Sequence, residues 1–290
     1  MHKGYSALRK RPVIFILTGV ALYLLSNWVD ELRNFQGATA AVYIVAIASI
    51  VLLTGYSGQI SLGHGAIMAV GGYAAVLSQK YWHVNLLLTF VAAVLAAALF
   101  GAILGFAAAR LSGPYLAGTT LALAVGLPSL ADQFHILGGE QGLPYNVPQP
   151  PASLGADFTQ YHWFFWITGS AALLMVWATQ NILGSRYGRQ WRAIRSNPTA
   201  AALAGIHVGR LKVLAFTVSS GIAGLAGALL VLTLNLVTPS AFPLSLSFTV
   251  VTGAVLAGVG SLRGSIIGAV VLVAIPELSD RKSTRLNSSH

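Results

Sequence analysis

Long apolar runs dominate this chain, broken at intervals by short glycine-rich, proline-rich or basic stretches. A helix that crosses a membrane needs about 20 mainly apolar residues. Runs near that length fall at 12–29, 38–54, 64–79, 86–109, 113–131, 161–183, 211–236 and 246–275, the last long enough to be a broken or re-entrant pair. The pattern predicts an all-α fold, a polytopic transmembrane helical bundle, with residues 1–279 as one transmembrane domain. Segment 132–160 holds Pro144, Pro148, Pro150 and Pro151 and is expected to form a structured loop or short interfacial piece. Small-residue spacings (Gly101 with Gly105, Gly264 with Gly268, and the ridge Gly221, Gly224, Gly227) read as faces where helix backbones approach closely.

Composition sharpens this picture. Of 290 residues 56% are hydrophobic and only 8% charged, against about 25% charged in soluble domains. The net charge of +10 is not a nucleic-acid signature, because the cations sit at the ends of apolar runs and not on one face with interleaved aromatics. They report orientation instead. With the basic N-terminus (Lys3, Arg9, Lys10, Arg11) in the cytoplasm, alternation puts Asp30, Glu31 and Arg33 outside, Arg110 inside, 132–160 outside and the Arg186–Lys212 loop inside. The N-terminus has the charge order of a signal peptide, but Trp28-Val29-Asp30 offers no small-residue cleavage site, so it is expected to remain as the first span. The chain has no cysteine, which excludes disulfides, thiolate metal sites and a thiol nucleophile. At the other end Asp280–His290, DRKSTRLNSSH, is abruptly polar and is expected to be a non-native tail, the translation of a sequencing adapter on a truncated gene.

Two segments carry candidate chemistry. Residues 54–73, TGYSGQISLGHGAIMAVGGY, put six glycines with Ser57, Gln59, Ser61 and His64 between apolar runs. That density weakens a helix. Backbone freed at membrane depth is tolerated only where it is buried in protein or lines a wet cavity, which predicts a broken helix beside a translocation pathway. Its uncharged hydrogen-bonding groups suit passage of a zwitterion. A phosphate-binding loop is excluded, since no Gly-Lys-Ser/Thr ending follows. His64, a lone histidine among glycines, reads first as a packed hydrogen-bonded group. The second segment, 184–212, holds Arg186, Arg189, Arg192, Arg195, Arg210 and Lys212. Arg189, Arg192 and Arg195 repeat every third residue, giving a cationic helix face that suits an acidic protein groove or anionic lipid headgroups. Helix-forming Ala200, Ala201 and Ala202 then lead to Gly205 as a C-cap.

Together these residues resemble a known family. GYSGQISLGHGA at 55–66 is similar to the hallmark of branched-chain amino-acid ABC transporter permeases. Further matches follow in that family's order: GPYLA from Gly113, LGGEQGL from Leu137, RAIR from Arg192, KVLAFTVSSGIAGLAGA from Lys212, TPSAF from Thr238 and GVGSLRG from Gly258. The resemblance implies the inner-membrane subunit of a high-affinity leucine, isoleucine and valine importer, multi-pass with a cytoplasmic N-terminus, and not itself an enzyme. It implies separate ABC ATPase subunits, a second homologous permease subunit and an external substrate-binding protein as partners, and no cofactor or metal. Tyr56, Ser57, Gln59, Ser61 and His64 would border the substrate pathway. Arg189, Arg192, Arg195, Ala200, Ala201 and Gly205 would form the loop that couples to the ATPase. The 132–160 loop and the Thr238–Pro243 turn would meet the binding protein. Ser196 and Pro198 depart from the pattern by standing where acidic residues are common. Related permeases import other amino acids or urea, and an ion-coupled carrier is the alternative from another class. Every Asp and Glu near a span end argues against proton coupling in such a carrier.

Overall fold

The computed structural model describes residues 18–24, 26–111, 113–151 and 158–287, except for the side chains of Pro114 and of residues 276–287. The expected first span at 12–29 lies partly outside the described residues; 18–24 are helical. Helix α1, Glu31–Ile50, runs directly into a π-helical turn, Val51–Tyr56. Helices α2 (His64–Trp82), α3 (Leu86–Arg110), α4 (Pro114–Gln133) and α5 (Gln160–Gly184) follow. The basic loop folds as α6 (Arg186–Ser196) and α7 (Pro198–Leu203), and then α8 (Val208–Leu234), α9 (Leu244–Leu256) and α10 (Gly264–Asn287) complete the bundle. The expected tail at 280–290 is helical through Asn287 within α10, and 288–290 lie outside the described residues.

Among the described residues four helical segments are long and apolar enough to cross a membrane: Glu31–Tyr56, Leu86–Arg110, Val208–Leu234 and Pro239–Leu256. Tyr115–Gln133 and His135–Gln141, bent by 94°, add a fifth if counted together. The expected spans at 64–79 and 161–183 are helices α2 and α5, whose glycines, tryptophans and polar ends keep them below the same apolarity. The run 246–275 is indeed broken, into α9 and α10, at a turn where Gly258 and Gly260 take φ of 80° and 107°.

Helix α8 is the hub. Its apolar window is 72% buried, against 22% for α3, and it packs most extensively on α3, then α2, then α1. The small residues explain why. A Cβ on Gly227 would overlap the Met68 carbonyl, and one on Gly71 would overlap the backbone of Gly224. On the opposite side of α8, a Cβ on Gly224 would lie 2.7 Å from the Ala93 carbonyl, and one on Gly105 would lie 3.0 Å from the Val213 Cα. In lipid, where burial of apolar surface adds little between helices, such backbone approach supplies the attraction. Gly264 and Gly268 do the same for α10 on α9, beneath the backbone of Ala257 and Gly253.

Candidate functional site

The break between α1 and α2 is mended by its own polar side chains. The π-turn widens the helix by one residue per turn and leaves carbonyls without their usual partners. Ser57 Oγ donates to the Leu53 carbonyl at 2.8 Å, Thr54 Oγ1 donates to Gln59 O at 3.0 Å, and Gln59 Nε2 donates to Ser57 Oγ at 2.8 Å. Gln59 Nε2 also reaches the Lys212 carbonyl, 3.2 Å away at the start of α8. On the α2 side, Thr120 Oγ1 accepts from Leu62 N and Ser247 Oγ accepts from Gly65 N, so α4 and α9 both clasp the loop.

Ser57, Gln59, Ser61 and His64 are all buried, and Tyr56 is half-buried. The first four therefore lie in the interior of this chain. His64 is fully enclosed, with Nε2 3.2 Å from Ser219 Oγ. Ser219 gives its single hydroxyl proton to the Ser49 carbonyl at 2.8 Å, which assigns the imidazole proton to Nε2. Nδ1 then faces the interior as an acceptor without a partner, as does Gln59 Oε1. The break is thus closely packed yet leaves two buried acceptors unsatisfied.

The arginine helix is tied to this break. Arg195 Nη1 donates to the Gly55 carbonyl in the π-turn, and its aliphatic stem lies over Gly58, whose Cβ would come 3.1 Å from Arg195 Cγ. Gly58 has φ of 72°, a left-handed conformation that favours glycine. Arg192 stacks over the Tyr56 ring at 5.6 Å. Arg189 makes only a long hydrogen bond, 3.4 Å, to Gly184 O. The cationic face is real, but two of its three members, Arg192 and Arg195, contact the π-turn, and Arg189 reaches only back to the end of α5. From the other face of α6, Trp191 and Ile194 bury fully, and Trp191 Nε1 donates to Leu211 O at 2.9 Å. Nothing in the spacing of the sequence signals the Arg195 to Gly55 contact, which joins positions 140 residues apart.

Beyond α6, Asn197 caps α7 by accepting from Ala200 N at 3.0 Å. Ala201 packs inward and Ala200 stays exposed. Gly205 takes φ of 81° just past the helix end, as a C-cap requires. Leu203 stands at the tip with 87% of its surface exposed.

At the opposite end of the bundle, residues 135–146 of the expected outer loop join the segment 235–242 that follows α8. Strand β1, Leu143–Pro144, pairs antiparallel with β2, Leu236–Val237. Tyr145 is buried with its hydroxyl 2.5 Å from Thr89 Oγ1, and burial pushes its phenol up to about 12, the Thr89 hydrogen bond opposing. Gln79 and Asn146 exchange two hydrogen bonds, at 2.7 and 2.9 Å. Gly142 adopts φ 73° with ψ −165°, a conformation reserved for glycine, and a Cβ there would overlap the Val237 carbonyl. Gly142→Ala is therefore expected to unzip β1 from β2. Hydrogen exchange should show the Leu143 and Val237 amides losing about tenfold or more in protection while α8 amides keep theirs.

Residues 32–285 match the family described as Branched-chain amino acid transport system / permease component. The chain belongs to this family. It is 30% identical over 261 residues to the high-affinity branched-chain amino acid transport system permease protein LivM of Escherichia coli K12, covering 82% of this chain and 61% of LivM. It is 26% identical over 275 residues to LivH of Salmonella typhimurium, covering 85% of each. It is also 29% identical over 283 residues to the ribose import permease protein RbsC of Escherichia coli K12, covering 89% of this chain and 81% of RbsC. The chain thus spans about three fifths of LivM. No solved structure matches. With its several apolar helices, this branched-chain permease family member is a multi-pass membrane protein.

Proposed function

We propose that this chain is one of two homologous permease subunits that form the membrane pathway of a bacterial inner-membrane importer for leucine, isoleucine and valine. Separate ABC ATPase subunits supply the energy, and an external binding protein delivers the substrate. The observation that carries this reading is the continuous link from the exposed Leu203 knob on α7, through α6, to the π-turn at Gly55 by way of Arg195. A protruding capped helix anchored to a helix break is a lever: whatever seats on Leu203 and then moves must pull on residues 55–63. This assignment puts the arginine-rich end and the N-terminus in the cytoplasm, where Lys and Arg accumulate in membrane proteins, and the β1–β2 cap outside as the binding-protein contact. Tyr56, Ser57, Gln59, Ser61 and His64 border the pathway in this scheme. The lever opens their packed network, and Gln59 Oε1 and His64 Nδ1 become acceptors for a substrate ammonium.

Leu203→Glu is the direct test. The permease pair, its ATPase subunits and its binding protein are reconstituted in vesicles, and uptake of labelled leucine is followed. The wild type is expected to take up leucine only with ATP. Leu203→Glu should lose ATPase subunits on co-purification and with them at least about tenfold of uptake, since a charge at a buried hydrophobic anchor removes most of its contribution. ATP-independent uptake driven by a sodium gradient would overturn the importer reading in favour of a self-powered carrier.

A further inference from the structure

A cleft of about 350 Å³ lies between the end of α5, helix α6 and the turn from α9 to α10. Arg192, Arg263, Tyr56, Gln180 and Ser261 line it. It is separate from the packed network at Gln59 and His64 and from the α7 knob. The Arg192 guanidinium carbon lies 5.6 Å from the Tyr56 ring centroid, and among the described residues the side chain makes no hydrogen bond. Among the described residues the Arg263 side chain has no hydrogen-bond or ion-pair partner.

Among the described residues no acidic side chain pairs with either arginine. Among the described residues the acidic side chains are Asp30, Glu31, Asp132 and Glu140. Glu31 starts α1, whose far end carries Gly55 beside Arg195, roughly 36 Å away along the helix. Asp132 lies about 18 Å along α4 from Thr120, the residue that holds Leu62 at the break. Glu140 belongs to the 3-10 turn next to β1 in the far cap. Two guanidiniums facing one cleft repel each other unless an anion lies between them.

The position of the cleft indicates which anion. Helix α6 follows α5 with only Ser185 between them, so it lies where a span leaves the membrane. It buries Gly188, Trp191 and Ile194 against the bundle, Trp191 donating to the Leu211 carbonyl at the start of α8, and leaves Arg186, Arg189 and Arg192 exposed on the other side. Lipid phosphates are the anions concentrated at that depth, and planar guanidinium N–H groups match their oxygens. We propose that this cleft is a binding site for the phosphate of an anionic phospholipid, held by Arg192 and Arg263 with Ser261 at its edge. Such a lipid would brace α6 against the α9–α10 turn, which already touches the break where Gly55 meets Gly260: a Cβ on Gly55 would come 2.7 Å from Gly260 N. This site stands whatever substrate the permease carries.

The test is native mass spectrometry of the full chain purified in detergent and titrated with phosphatidylglycerol or phosphatidylcholine. Wild type is expected to hold phosphatidylglycerol about tenfold more tightly, one charge-assisted contact being worth at least that much. Arg192→Gln with Arg263→Gln should bring phosphatidylglycerol down to the phosphatidylcholine level, while Arg110→Gln, the same charge change at the same end of the bundle, should leave the preference intact. Should the double variant misfold, as judged by gel filtration, Arg263→Gln alone is expected to lower the preference several-fold. Equal retention of both lipids by wild type would overturn the proposal. So would loss of inorganic phosphate binding in the double variant without any lipid preference, which would assign the cleft to a free anion. An unchanged lipid preference with reduced ATPase co-purification would assign it to an acidic protein surface and overturn the lipid site as well.

Discussion

Gly227→Val is expected to yield no folded permease. A helix gains a little from losing glycine, about 0.5 kcal/mol when valine replaces it. Against that, the new Cβ falls on the Met68 carbonyl, a backbone atom that has no rotamer to change. Gly71 sits one turn along the same contact, with its own Cβ position inside the backbone of Gly224, so α2 cannot slide along α8 to make room. The third helix closes the remaining escape, because Ala93 and Ala97 of α3 press on Gly224 from behind. Overpacking of side chains alone costs about 1–3 kcal/mol, and displacement of the hub helix from two neighbours costs more. Gel filtration in detergent should show aggregate in place of the wild-type peak. Gly126→Ala on α4, where a Cβ meets nothing within 4 Å, should elute as wild type and melt no lower. A wild-type peak and melting point for Gly227→Val would show that α2 and α8 do not pack through their backbones.

That Gly224 and Gly227 face a close neighbour was legible from the sequence, because small residues at helical spacing have one common use in lipid, but which helices meet them was not. That a helix breaks somewhere within 54–73 was legible from its glycines, but not where. Gly58 and Gly63 lie in the break, while Gly55 belongs to the π-turn and Gly65, Gly71 and Gly72 are helical in α2. Three further things were not legible. The long-range partners at the break lie on distant elements: Ser219 for His64 and the Lys212 carbonyl for Gln59 on α8, Thr120 on α4 for the Leu62 amide, and Ser247 on α9 for the Gly65 amide. Local pattern carries no information about which serine of Ser219-Ser220 faces the break. A lone histidine among glycines reads first as a packed hydrogen-bonded group, and His64 is one, but the burial of Ser57 and Gln59 was out of reach, since polar groups beside glycines suit a wet passage and a core equally well. Finally, an arginine every third residue announces a cationic face but not its target. Arg195 turns back to a carbonyl that the π-turn has freed, and π-turns have no sequence signature of their own.

Arg195 carries the second large effect. If Leu203 is where force enters, Arg195 is where it reaches the membrane segment, and the two positions should fail differently. Arg195→Gln removes the guanidinium donor to Gly55 O but keeps the Cα, Cβ and Cγ atoms that lie over Gly58, so the π-turn loses its hydrogen bond to α6 while α7 and its knob remain. ATPase subunits should therefore still co-purify and still hydrolyse ATP, while leucine uptake falls by about tenfold, the equivalent of one charge-assisted hydrogen bond. Hydrogen exchange should quicken at 55–62 and stay unchanged at 208–234. Arg195→Lys keeps the charge but offers a compact ammonium on a flexible stem in place of a flat fork, so it should recover only part of the uptake. Arg189→Gln, whose single contact is the long one to Gly184 O, should keep most of it. If Arg195→Gln instead sheds the ATPase subunits as Leu203→Glu is expected to, Arg195 belongs to the docking surface and the lever between α7 and the break does not run through it. Hydrolysis without transport is the outcome that only a mechanical link predicts.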